Sequence, residues 1–289
     1  EKRLGKKRKR CEDPTIAAIL NLLQNHPDAA KQVNARGRTP LHAACYDGAP
    51  LEVVSALLNV WPGATREKAK FNSTPLHDAC DYVAPLEVVS ALLNVWPDAA
   101  KEKNRFGLTP LHKVLYKGPS ASFEIVSALL KACPEAAKEK NGANYIPLHI
   151  ACNRRAPFDV VSALLKAWPA AVNVKDDDYD KTPLQAACGL RLPFEVVTPL
   201  LNTWLSFKDN RTNSAILSLQ EDDLNFTGDV EMLFTRLFAL CRNNAYYHTP
   251  REIMDYFIFI QLWNGTTLVL DRNPTVIKTM GLDTKVMAD

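Results

Sequence analysis

Residues 39–45 read Thr39-Pro40-Leu41-His42-Ala43-Ala44-Cys45, and this heptad returns four times. Thr74–Cys80 is TPLHDAC, Thr109–Leu115 is TPLHKVL, Ile146–Cys152 is IPLHIAC and Thr182–Cys188 is TPLQAAC. Successive copies start 35, 35, 37 and 36 residues apart. Self-similarity at one fixed period means that a single supersecondary unit is stacked repeatedly, each copy burying its neighbour's apolar face.

The unit can be read residue by residue. Thr followed by Pro is an N-cap followed by a proline at the first helical position, so each heptad opens a short helix of about seven residues. Such a helix is too short to be stable alone. After a break at Asp47-Gly48-Ala49-Pro50, apolar residues Leu51, Val53, Val54, Leu57, Leu58 and Trp61 follow at helical spacing. Pro62 stops this second helix, and the pattern recurs at 85–97, 122–134, 157–169 and 193–205. From each stop proline to the next Thr-Pro proline the count is 13 residues in four cases and 14 in the fifth, from Pro169 to Pro183. Three residues before those prolines stand Gly37, Asn72, Gly107, Asn144 and Asp180. These residue types best tolerate a left-handed backbone, so a turn is expected at each of the five places.

The repeated T-P-L-H at this period resembles the ankyrin repeats, over residues 14–206. The resemblance implies an all-α fold: an ankyrin-repeat solenoid, helix-turn-helix plus hairpin finger per repeat, with a helical C-terminal extension. Pro14–His26, with Ile16, Ile19, Leu20, Leu22 and Leu23, matches a second helix whose first is absent, an N-terminal half-repeat. In ankyrin repeats the periodic His (His42, His77, His112, His149) hydrogen-bonds within and between units. Arrays of this kind bind protein partners along a concave face of finger tips and first helices. Carried onto this chain, that face comprises Arg36, Arg38, Phe71, Arg105, Phe106, Leu108, Tyr145 and Tyr179 at the fingers. After the first helices it comprises Tyr46, Asp47, Asp81, Tyr82, Tyr116, Lys117, Asn153 and Arg154. The set is rich in Tyr, Phe and Arg, the usual anchors of protein interfaces. The competing reading is that several of these rings pad the joints between fingers.

Departures from the pattern are few. Ile146 replaces the capping Thr and Gln185 replaces the His. Pro199 falls inside the last second helix, where a kink near 195–198 is expected. Leu205 stands where a stop proline should be, so the array is expected to end there. The expected organisation is a basic disordered tail at 1–13, the array at 14–206, a polar linker at 207–227 with one short helix at 213–220, and a helical module or degenerate capping repeats at 228–289. In that last part Asp229–Cys241 is amphipathic. Thr249-Pro250-Arg251-Glu252 is a capping box, and the helix it opens, apolar nearly all round through Trp263, is expected to be buried. A further helix is expected at 274–281.

Net charge is +3, but residues 1–10 alone carry seven Lys or Arg and one Glu. The rest is slightly acidic, which does not favour a nucleic-acid-binding body. Lys6, Lys7, Arg8, Lys9 and Arg10 read as a nuclear import signal or as a solvated tail. Four of seven Cys (Cys45, Cys80, Cys152, Cys188) share one repeat position and read as small buried hydrophobes. Reduced thiols suit a cytoplasmic or nuclear protein. No apolar run reaches the roughly 20 residues of a membrane span. There is no Gly-rich phosphate loop, G-x-S-x-G or H-E-x-x-H. Asp176, Asp177, Asp178 and Asp180 lack the spacing of a calcium loop. No catalytic residue, metal site, cofactor or small-molecule substrate is expected. The chain is read as a monomeric, non-catalytic scaffold or adaptor for a protein partner. Two alternatives stand beside it: a nuclear or chromatin-associated adaptor, with nucleic acid met only through residues 1–10, and the regulatory ankyrin region of a longer protein.

Overall fold

Each Thr-Pro pair opens a helix in the computed structural model, which describes residues 14–82, 84–221, 226, 228–242 and 248–280. The basic run at residues 1–10, with its import reading, lies outside the described residues. The described residues contain no strand, so the all-α expectation holds. The chain divides into two units, residues 1–114 with 131–133 and residues 115–130 with 134–289.

In the first unit, α1 (Pro14–Asn25) precedes two helix pairs. These are α2 (Pro40–Tyr46) with α3 (Leu51–Val60), and α4 (Pro75–Asp81) with α5 (Leu86–Val95). A further first helix, α6, runs Pro110–Leu115 at the end of this unit, and α7, Phe123–Ala132, falls mostly in the second. First helices stack on first helices, α2 on α4, and second on second, α1 on α3 and α3 on α5. Thus α1 takes the place of a second helix. Each second helix buries the same four positions, Val53, Val54, Leu57 and Leu58 in α3 and Val88, Val89, Leu92 and Leu93 in α5. Fully burying one such side chain stabilises by roughly 1.5–3 kcal/mol.

The second unit continues with α8 (Pro147–Asn153), α9 (Phe158–Ala167), α10 (Pro183–Gly189) and α11 (Phe194–Ser206). α8 packs on α10 and α9 on α11. Pro199 lies inside α11, which is helical on both sides of it. The helix continues to Ser206, because no proline stands at 205 to stop it.

Elsewhere the stop proline does more than end a helix. The residue before it leaves helical geometry (Trp61, φ −144, ψ 83), and the proline then opens a 3-10 turn, as at Pro62–Arg66 and Pro97–Lys101. A second recurrent turn lies between the helices of a pair. Its left-handed residue is Gly48, Gly118, Arg155 or Arg191. At Gly118 only glycine fits, because a Cβ there would run into the Arg154 carbonyl oxygen.

Residues 207–221 read as a loose linker in the sequence but are folded against the second unit. Arg211 Nε donates to Leu205 O (2.7 Å) and its Nη1 pairs with Asp271 (3.0 Å). The short helix expected there is α12, Asn213–Glu221. α13 (Gly228–Arg242), α14 (Pro250–Phe259), α15 (Trp263–Arg272) and α16 (Val276–Thr279) follow. The expected burial of the helix after Thr249 holds on one face only. Ile253, Met254 and Phe257 are buried, whereas Phe259 is 84% exposed and Ile258 and Trp263 are also exposed. The helix breaks at Ile260, so the apolar run is divided between two helices with different buried faces. The break repeats the turn found inside the earlier pairs. Gln261 is left-handed (φ 59), and Leu262 N–H reaches back five residues to Phe257 O, as Ala156 N–H does to Ala151 O.

Candidate partner-binding face

The fingers are built from backbone geometry upward. All five expected left-handed residues are left-handed, with φ of 68 at Gly37, 58 at Asn72, 69 at Gly107, 58 at Asn144 and 53 at Asp180. Hairpin hydrogen bonds close each finger, for example Asn34 N–H to Arg38 O (3.0 Å) and Gly37 N–H to Asn34 O (2.8 Å). A side-chain oxygen inside the turn does the rest. Asn34 Oδ1 accepts from Arg36 and Arg38 N–H, Asn104 Oδ1 from Phe106 and Leu108 N–H, and Asn141 Oδ1 from Ala143 and Tyr145 N–H. Asp176 serves the fifth finger, which is one residue longer. The second finger has Ala69 at this position, and there Phe71 itself turns left-handed (φ 68, ψ 20).

The periodic His fastens finger to helix. His42 Nδ1 accepts from the Thr39 backbone N–H (3.3 Å) and hydroxyl (2.9 Å), while Nε2 donates to Ser73 O (3.0 Å) in the following finger. His77 does the same with Thr74 and with Leu108 O (2.9 Å). Donation to a carbonyl requires the proton on Nε2, which leaves Nδ1 as an acceptor; the ring is neutral and its tautomer follows from its partners. Burial accordingly pulls His42 and His77 down to about 4. Gln185 closes the equivalent box through Oε1 (2.8 Å), so its substitution keeps the cap. Ile146 does not: His149 Nδ1 is buried with no hydrogen-bond partner among the described residues, although Nε2 still donates to Lys181 O (3.2 Å).

In the first unit the framework presents two aromatic pairs. Tyr46 and Tyr82, at the ends of α2 and α4, have ring centroids 3.8 Å apart. A hydrogen bond with Tyr46, and then burial, push the Tyr82 phenol up to about 12. The Arg38 guanidinium lies 3.9 Å over the Tyr46 ring and its Nε is 3.5 Å from Asp78 Oδ2. That contact does not fully satisfy Asp78. Its Oδ2 is buried without a hydrogen bond, and burial raises the carboxyl to about 6 despite the arginine. Phe71 and Phe106 form the fingertip pair, 5.6 Å apart. Phe71 is 43% exposed, Tyr82 45% and Phe106 55%. Arg36, Asp47 and Arg105 are exposed and Leu108 is half-buried, while Asp81 is bound by Lys113 Nζ at 2.8 Å.

In the second unit the equivalent rings are largely occupied. Tyr116 OH accepts from Asn141 Nδ2 (3.3 Å), and the Arg154 guanidinium lies 4.9 Å over the ring. Tyr145 OH donates to Asp178 Oδ2 (2.6 Å), which holds the phenol proton and raises its pKa. Lys117 is half-buried and Asn153 exposed. Tyr179 is 73% exposed. It edges an open cleft of about 650 Å³ that Lys181, Gln185, Trp204, Phe207 and Asn210 help to line. The sequence reading missed this cleft; its one signal was the missing stop proline, which lets the chain after Trp204 turn back over the last finger.

The four repeat-position cysteines are buried and free. Burial raises their thiols, Cys152 and Cys188 to about 12, so they are inert. Among the described residues no three His, Cys, Asp or Glu come together to hold a metal ion, and no helix is long and apolar enough to cross a membrane. The aspartates of the fifth finger bind neighbours instead: Asp177 Oδ2 accepts from Asn144 Nδ2, and Asp180 pairs with Lys175.

No curated protein matches the chain. The family description "Ankyrin repeats (3 copies)" matches residues 11–99 and again 84–176. Together these spans cover more than half of the sequence, and they enclose four of the five Thr/Ile-Pro-Leu heptads with their fingers; the chain belongs to the ankyrin-repeat family.

Proposed function

We propose that the chain is a non-catalytic protein-interaction scaffold whose partner lies along the finger and first-helix face. The observation that carries this reading is the exposure of three aromatic rings in one unit, Phe71, Tyr82 and Phe106, with Phe71 and Phe106 paired at the fingertips. Exposed aromatic clusters are unfavourable in water and are the commonest energetic anchors of interfaces. Arg36, Asp47 and Arg105 supply a polar rim, while Arg38, Tyr46 and Asp81 stiffen the surface from within. In the other unit Tyr179 contributes in the same way, and Tyr116, Tyr145 and Arg154 act mainly as joints.

The domain organisation we propose follows the same geometry. The array occupies 14–206, and residues 249–276 are a divergent repeat. They open on a Thr249 capping box, turn at Gln261 and continue into a ten-residue α15. That helix ends at a non-helical Asn273 (φ −134, ψ 68) before Pro274, as α3 ends at Trp61 before Pro62. The test of the scaffold reading is a pull-down with the wild-type chain and with the Tyr82→Ala/Phe106→Ala double variant. Loss of captured partner with an unchanged melting temperature supports it; capture that survives, or a large fall in melting temperature, counts against it.

A further inference from the structure

The first three fingers carry one sign of charge at their tips. Counting Lys, Arg, Asp and Glu, residues 32–39 sum to +2, 67–74 to +1 and 102–109 to +1, whereas 174–182 sum to −2. The tip cations of the first three are Arg36, Lys70 and Arg105, all exposed and none with an acidic partner among the described residues. Cations lower on the same fingers and helices are committed: Arg38 to Asp78, Lys68 to Glu102 (2.9 Å) and Lys113 to Asp81. The tips are also tied into one row by their backbones, since Lys70 N–H donates to Arg36 O (3.0 Å) and Arg105 N–H to Phe71 O (2.7 Å). Phe71 and Phe106 stand in that row, with Lys70 Nζ 5.2 Å from the Phe71 centroid.

We propose that this row takes an extended acidic segment of the protein partner, its carboxylates meeting Arg36, Lys70 and Arg105 and an apolar residue lying on the Phe71–Phe106 pair. This rests on the scaffold reading above and names the partner's chemistry. Three uncompensated cations on a fixed backbone row favour an anionic strand and reject a basic one. A protein segment fits better than single-stranded nucleic acid. The two rings tilt against each other by 38°, so they offer no pair of parallel faces on which successive bases could stack.

The test uses the full chain and three labelled probes in a fluorescence-anisotropy titration: a peptide of alternating Glu and Leu, one of alternating Lys and Leu, and oligo-dT. The Glu-Leu peptide should bind, weaken as salt is raised, and lose about tenfold in affinity in the Arg36→Ala/Lys70→Ala/Arg105→Ala variant, the scale expected for three rim ion pairs. Equal binding of the Lys-Leu peptide, tighter binding of oligo-dT, no binding of the Glu-Leu peptide, or an unaffected triple variant each overturns the proposal. The pull-down separates the two levels. Capture retained by the triple variant but lost from Tyr82→Ala/Phe106→Ala leaves the scaffold standing without the acidic partner; capture retained by both removes both.

Discussion

His77 Nε2 lies 2.9 Å from the carbonyl oxygen of Leu108, 31 residues further along the chain. Its other ring nitrogen holds the start of its own helix at Thr74. One buried imidazole therefore joins the first turn of α4 to the base of the next finger, and register passes from one repeat to the next through side-chain hydrogen bonds as well as apolar contact.

Replacing His77 by Ala should cost about 3 kcal/mol, because Thr74 N–H is left buried without a partner, Leu108 O keeps only its bond from Asn104 N–H, and a ring-sized void opens. His77→Gln should cost less, since Gln185 shows that an amide can close the same box. Urea denaturation gives both values; equal losses for the two variants would remove the cap from the explanation.

Acidification should destabilise the chain between about pH 6.5 and 4. His42 and His77 are held near 4 in the fold by burial, while the unfolded chain takes up protons below about 6.5. Their stabilising contribution is whole above the unfolded value and is lost toward the folded one, at about 1.4 kcal/mol per pH unit for each ring. His149 acts in the same direction. Asp78 opposes them. Raised to about 6 by burial, it binds its proton more tightly folded than unfolded and gains stability as pH falls from 6. An Asp78→Asn variant should therefore show a steeper acid loss than wild type between pH 6 and 4. Parallel stability-versus-pH curves would rule this out.

Ala69→Asn should raise stability by about 1 kcal/mol. The Asn supplies the oxygen that the other fingers use to hold two backbone N–H groups, and it lets Phe71 leave a left-handed geometry that bulky residues avoid. The same change moves the Phe71 ring out of its present contact with Phe106. A gain in urea midpoint should thus accompany weaker binding of the Glu-Leu peptide. A fall in midpoint would show that Phe71 is at ease where it is.

Much of this was legible in the residues, for a local reason. A Thr-Pro pair, a Gly or Asn three residues before a fixed proline, and apolar residues at helical spacing each constrain a few neighbouring dihedrals, and five copies in phase leave one way to stack them. The fingers' left-handed residues and the buried cysteines follow from that alone, whereas the neutrality of the histidines rests on Ser73 O and Leu108 O, which the following fingers bring to them. What sequence could not decide depended on partners distant in the chain. Whether Tyr145 faces a ligand or Asp178, whether Arg38 is free or set between Tyr46 and Asp78, and whether residues 207–221 hang loose or fold onto the last finger are questions of which charge and which ring arrive nearby. Phe71 shows the limit most plainly: its unusual backbone follows from the lack of a side-chain oxygen at Ala69, and its exposure beside Phe106 exists only because two hairpins lie side by side. Local geometry is written into short stretches of chain; the solvation and pairing of a side chain is settled by whatever else the fold brings within a few ångströms of it.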